Sequence, residues 1–329
     1  MKRRELITFL GGAAAWPFAA RAQQSDRMRR VGLVLGIAEN DPETEARMVA
    51  FRAGLGALGW IEGRNIQIEY RFAAGEPSLI RAYVRELVDS KPDMIVANGT
   101  PVIAELKQAT STIPIVFVVV NDPVSQGFIR SLSRPGGNIT GFTFVEFELI
   151  GKWLEILKEI APHTSRAALM FNSDFAPYYH VFLQEFGAAP ARLSIDLTAS
   201  PVRGADDIER TIARLAAETG AGLIVAPEPF TVVNRNLIMQ SAARHKLPAV
   251  YSYRRFVSEG ALVSYGPDSI DIFRRSAAYV DRILKGEKTA ELPAQAPIKF
   301  ELAVNLKTAR TLGLDISPML LARADEVIE

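Results

Sequence analysis

No cysteine occurs in this chain of 329 residues, and that one absence removes several chemistries together. It leaves no thiol nucleophile, no thiolate metal site and no cysteine to carry a lipid anchor behind an export signal. A chain of this length buries enough apolar surface to fold without disulfide staples, so zero cysteine is compatible with an oxidising compartment. Histidine is almost as scarce: His163, His180 and His245 are widely spaced and form no ligand cluster. The G-x-S-x-G elbow, the P-loop and H-E-x-x-H are missing too. Acidic residues are plentiful, yet none falls into a spacing that reads as a paired acid and base. Excess charge of one sign is also lacking, with 38 basic residues against 37 acidic ones. Such a chain has no basic field for nucleic acid or an anionic membrane surface. A small-molecule or protein partner remains, without catalysis, metal or cofactor.

The first residues differ from the rest. Lys2, Arg3 and Arg4 form a basic start, Leu6 to Ala15 is apolar, and Ala20-Arg21-Ala22 gives an A-x-A pattern before Gln23. That order is the layout of a secretory signal peptide over residues 1–22. Arg3-Arg4 followed by Glu5, Leu6 and Ile7 resembles a twin-arginine signal, and an ordinary Sec signal with two arginines is the plainer alternative. Gly11, Gly12 and Pro17 interrupt the apolar stretch, which falls short of the roughly 18 residues a membrane span needs. Cleavage near Ala22 is expected, giving a freely soluble periplasmic form. It removes four basic residues and one acidic residue, so the formal charge of +1 turns slightly negative.

From Arg30 onward two periods alternate. Val31 to Leu35 is a short apolar run suited to a strand buried on both faces. Asn40-Asp41-Pro42-Glu43 opens a helix that runs to Leu58-Gly59. Asn65 to Phe72 reads as a strand, and Leu79, Ile80, Tyr83, Val84, Leu87 and Val88 lie along one helix face. Met94 to Ala97 is the third strand, a helix follows from Pro101, and Ile113 to Val120 is the fourth strand. The alternation then restarts: a helix stripe at Ile150, Trp153, Leu154, Leu157 and Ile160, strands at Ala167 to Phe171 and Leu193 to Leu197, then Leu223 to Ala226. A helix from Val232 to Arg244 and a strand at Ala249 to Tyr251 complete that run.

Regular βα alternation means parallel sheets covered by helices. Running twice, it gives an α/β protein of two Rossmann-like domains joined by a multi-strand hinge. The expected units are 29–143, 144–262 and a tail, 263–329, shared by both lobes. Gly54-Leu-Gly56-Ala-Leu-Gly59 spells G-x-G-x-x-G. It lies late in a helix, some twenty residues past the strand, where no pyrophosphate loop can form.

Ligands of open α/β sheets bind beyond the carboxyl ends of the strands. Four strand exits there are polar. Asn98-Gly99-Thr100-Pro101 is a tight turn into a helix N-terminus, able to face an anionic group or simply to cap the helix. Asn121-Asp122-Pro123 offers a carboxylate to an ammonium group, or a cap. Asn172-Ser173-Asp174 and Pro227-Glu228 stand at the corresponding places in the second half. Together they would face one another across an interdomain cleft, a preferred small-molecule site. Tyr251, Tyr253, Phe256 and Tyr265, near later strand ends, would wall an aromatic solute or serve as core.

Several segments are collinear with a known family. Ile113-Pro-Ile-Val-Phe117, Asn121-Asp-Pro-Val124, Arg134-Pro-Gly-Gly-Asn-Ile-Thr-Gly141, Gly151-Lys-Trp-Leu-Glu-Ile-Leu-Lys158, Ser264-Tyr-Gly-Pro267 and Asn305-Leu-Lys-Thr-Ala309 resemble ABC transporter substrate-binding proteins of the TrpX-like type. The resemblance runs from Arg29 to the C-terminus. It implies a type I periplasmic binding protein fold with three hinge crossings and a ligand between the lobes. Relatives associated with aromatic amino acids would place Asn98, Thr100, Asp122 and Asn172 near the ligand. Asn172-Ser173-Asp174 departs from the Asn-Pro pairing of the family at that place.

The expectation is therefore a periplasmic importer subunit, monomeric, delivering its solute to ABC permease subunits. For an amino acid, the Thr100 helix N-terminus would take the carboxylate, Asp122 or Glu228 the ammonium, and Tyr251 or Tyr265 the side chain. An exported α/β enzyme and a sensory module for a membrane receptor are the rivals.

Overall fold

The computed structural model describes residues 27–144, 148–185 and 192–329. The expected signal peptide lies outside them. Among the described residues no helix is long and apolar enough to cross a membrane.

The first unit follows the βα alternation. Its elements are β1 (Arg29–Leu35), α1 (Pro42–Ala57), β2 (Ile66–Phe72), α2 (Pro77–Asp89), β3 (Met94–Asn98), α3 (Thr100–Ala109), β4 (Ile115–Val120) and β5 (Ile139–Thr143). The five strands pair in the order β2-β1-β3-β4-β5, all parallel. Every residue of β3 and β4 is buried, as helices on both sheet faces require. Asp41 starts α1 by accepting the Glu43 amide at 2.9 Å, with Pro42 at the first helical position. Gly59, with φ +88°, lies just past the end of α1, so the glycine run closes a helix.

The second unit begins at α4 (Glu148–Ile160), whose stripe of Ile150, Trp153, Leu154, Leu157 and Ile160 is at most 1 % exposed. It continues through β6 (Arg166–Phe171), α5 (Tyr178–Glu185), β7 (Asp196–Pro201), α6 (Ala205–Ala216), β8 (Ala221–Val225), α7 (Pro229–Val233), α8 (Arg235–Arg244), β9 (Ala249–Tyr251), α9 (Arg254–Ser258) and β10 (Val263–Pro267). The strand expected at Leu223 to Ala226 lies at Ala221–Val225, and two larger differences from the sequence reading stand beside it. The strand expected at Leu193 begins at Asp196. The helix expected from Val232 is two helices, because Glu228 starts α7 with its own capping box and the Asn234 amide then donates back to Phe230 O at 2.9 Å.

Beyond β10 the chain crosses to the first unit as α10 (Ser269–Leu284), which packs along α1. Gly54 makes that crossing close: a Cβ there would fall 2.7 Å from Arg274 O. The chain returns past Gln295, which is bonded to Gly141 and Thr143 of β5. It ends with β11 (Phe300–Asn305), α11 (Leu306–Leu312), α12 (Pro318–Arg323) and β12 (Glu326–Ile328). The second sheet therefore has seven strands, ordered β12-β11-β10-β9-β8-β6-β7. It is not wholly parallel. β11 enters from the hinge and runs antiparallel to β10.

Candidate ligand-binding cleft

The carboxyl ends of both sheets meet. Gly36, just after β1, lies so near Pro229 of the other unit that a Cβ would stand 3.0 Å from its ring. On the first side, β3 ends in Asn98, whose amide donates to Val118 O at 3.3 Å. Gly99 turns the chain at φ +92°, a conformation an L side chain rarely adopts, and Thr100 opens α3. The Thr100 hydroxyl accepts the Asn121 amide at 3.2 Å.

Asn121 then reaches across. Its Nδ2 donates to Pro227 O at 3.0 Å and to the Tyr178 hydroxyl at 3.1 Å, both on the second unit. On that side Glu228 is 4 % exposed and accepts the amides of Phe230 at 2.8 Å, Thr231 at 3.1 Å and Asn172 at 3.3 Å. Burial pushes its carboxyl up to about 8, against those three amides, which favour the ionised form. Burial likewise raises Tyr178 and Tyr179, and takes Tyr253 up to about 12 against the opposing charge of Arg47. The tyrosines are neutral at physiological pH.

Between the two sides lies a cavity of about 20 Å³ whose lining includes Arg47, Asn98, Gly99, Thr100, Asn121, Glu228 and Tyr253. That is room for one water molecule. An amino acid enters only if the lobes part. The lobes are shut.

Five of the expected residues thus share one cavity: Asn98, Gly99, Thr100, Asn121 and Glu228. Asn172 sits behind Glu228, buried, with its own side chain turned to the Asp174 amide at 2.9 Å. The others stand elsewhere. Asp122, in a left-handed conformation with φ +35°, turns back to accept the Ser125 amide at 3.1 Å. Asp174 faces outward and pairs with Arg203 at 3.5 Å. Tyr251 is interior to the second unit, edge-on to Phe256 at 6.3 Å. Tyr265 stacks on Phe300 at 5.8 Å, because both lie on the antiparallel β10–β11 pair.

The aromatic surface at the cavity comes from Tyr253 and, through Asn121, from Tyr178 and Tyr179. Arg47 was invisible in the sequence. Glu43 and Arg47 have the i,i+4 spacing of an ordinary solvent-exposed ion pair, and only the fold buries them. Among the described residues no group of His, Cys, Asp and Glu is placed to hold a metal.

Two α/β lobes with a polar cavity between their strand ends define a solute-binding protein of the type I periplasmic binding fold. The chain belongs to the ABC transporter substrate binding protein family, whose model matches residues 34–328. It is similar to a tyrosine-binding protein of Clostridioides difficile (strain R20291), 22% identical, covering 89% of this chain and 84% of that one. Among solved structures, a conserved domain protein from Vibrio cholerae O1 biovar eltor superposes with a TM-score of 0.84 at 27% identity, covering 92% of this chain and 100% of that one. An ABC domain from Streptococcus pneumonia in complex with L-Trp gives 0.83 at 21% identity, covering 92% and 100%. The family binds solutes and is not one of enzymes.

Proposed function

We propose that this chain captures an amino acid between its lobes outside the cytoplasm and delivers it to the permease of an ABC importer. The observation that carries the reading is the Asn121 side chain, which leaves the floor of one lobe and bonds two groups of the other. Such a contact exists only in the closed form, so closure and site assembly are one event. The polar groups around it suit a zwitterion: the α3 N-terminus at Gly99 and Thr100 favours a carboxylate, and an ammonium group beside Glu228 would draw its buried carboxyl into the ionised form and pair with it. Relatives named for tyrosine binding and crystallised with L-Trp support an aromatic amino acid. Export by the 1–22 signal and a monomeric form that docks on the permease complete the proposal.

The test is a thermal-shift screen of the chain from Gln23 onward against amino acids, sugars and carboxylates. A solute at ~100 times its dissociation constant should add roughly 2.7 kcal/mol of stability. Tyrosine or tryptophan should raise the melting temperature and return unaltered. A shift produced only by sugars, or conversion of the solute to a product, would sink the reading.

A further inference from the structure

Arg47 belongs to none of the strand exits. It projects from α1, is 1 % exposed, and lines the interlobe cavity. Its Nε donates to the Ser269 hydroxyl at 3.1 Å. The rings of Tyr253 and Phe273 lie 5.2 and 5.8 Å from its guanidinium carbon. Nη2 is different: it is buried and makes no hydrogen bond. Glu43 Oε1 lies 3.3 Å away, out of hydrogen-bonding alignment, and that oxygen already accepts the Ser269 hydroxyl.

A buried guanidinium with an unused N–H edge is costly, and a carboxylate approaching in the plane of the fork removes that cost with short, charge-assisted bonds. Thr100 and the α3 N-terminus adjoin the same cavity, so two sources of positive potential converge there. Among the described residues, Glu228 supplies the only acidic lining of that cavity.

We infer that Arg47 is the anion anchor of the cleft, holding the carboxylate of the bound solute, with Ser269 and Glu43 positioning it. Ser269 is the first residue of α10, the helix by which the chain crosses from β10 into the first lobe. The anchor is thereby tied to the hinge, and a solute lacking an anionic group closes the lobes less well. The inference rests on the amino-acid reading above for its choice of probes.

The test is calorimetric titration of the chain with tyrosine, tryptophan and their decarboxylated amines, tyramine and tryptamine. The wild-type chain should prefer each acid over its amine by roughly 100-fold. In Arg47→Met that preference should fall below about 5-fold while affinity for the amine changes little. An arginine that only supported the fold would weaken acid and amine alike, and an unchanged ratio overturns the inference. If Arg47→Met does not fold, Arg47→Lys, which keeps charge but loses the fork, must still lower the ratio. If the wild-type chain takes none of the four probes, the amino-acid reading fails separately. Arg47 is then judged on the solute that the screen finds, and a solute without an anionic group overturns it.

Discussion

Asp41 and Arg235 meet across the cleft, Oδ2 to Nη1 at 2.5 Å, with both side chains about a tenth exposed. Asp41 caps α1 of the first lobe with its other oxygen, while Arg235 opens α8 of the second and is held from behind by Glu259 at 2.7 Å. One carboxylate thus serves a helix start and the closed state together.

Asp41→Asn keeps a side-chain oxygen for the cap and loses the ion pair. The ligand-free chain should then open more readily, which small-angle X-ray scattering would show as a larger radius of gyration. Solute affinity should weaken by about 3–10-fold, since closure costs more while the contacts to solute are intact. Added salt should weaken the wild type more than the variant, because the pair is only partly shielded from solvent. Equal salt dependence in the two would mean that this pair does not hold the lobes together.

Glu228 makes stability depend on pH. Its folded carboxyl titrates near 8, above the ordinary value of 4.5, so the folded state keeps a proton that the unfolded chain has released. The favourable contribution is complete below about pH 4.5 and is lost as pH rises through 8. Glu228→Gln removes the titration. Unfolding free energies from urea titrations at pH 4 to 9 should fall with rising pH in the wild type relative to the variant, by at most about 4–5 kcal/mol. Parallel curves would show that the three backbone amides keep Glu228 ionised throughout.

The elements that were legible in the sequence are those whose signal is local. The α4 stripe is periodic over its whole length, and the polar strand exits at Asn98, Asn121 and Glu228 follow unbroken apolar runs. Tyr253 was legible only as one of several aromatics near the later strand ends, and Arg47 was not legible, because its position means nothing until the lobes are paired. Tyr265 misled for the same reason in reverse: a strand end near an aromatic looks like a cleft wall until β11 is seen to run antiparallel beside it. Asp122 failed on backbone geometry. An Asn-Asp-Pro triplet does not reveal that the aspartate adopts a left-handed conformation and turns its carboxylate to Ser125.

The glycines of the Arg134-to-Gly141 segment should respond very differently to one methyl group. A Cβ on Gly141 would lie 2.0 Å from Phe117 O, the backbone of the neighbouring strand, which cannot step aside without breaking the β4–β5 pairing. Gly137 has nothing within 4 Å. Gly141→Ala should cost roughly 3 kcal/mol or more and Gly137→Ala less than about 0.5 kcal/mol, read as denaturant midpoints at constant m-value. Equal costs would remove the steric account of this hinge strand.

Asn121 and Tyr265 separate a bridge from a bystander. Asn121→Ala removes the amide that joins the lobes and leaves Pro227 O and the Tyr178 hydroxyl without that donor. Its solute affinity should drop by at least roughly 10-fold, the scale of one or two buried hydrogen bonds. Tyr265→Leu removes a ring stacked on Phe300, away from the cavity. The Tyr265 carbonyl still accepts the Trp153 indole N–H at 2.7 Å, since that contact uses backbone only. Affinity should therefore stay within about 2-fold of wild type, although the variant loses some stability from its lost ring contact. A large affinity loss in Tyr265→Leu beside a small one in Asn121→Ala would move the binding surface from the interlobe cavity to the β10–β11 face.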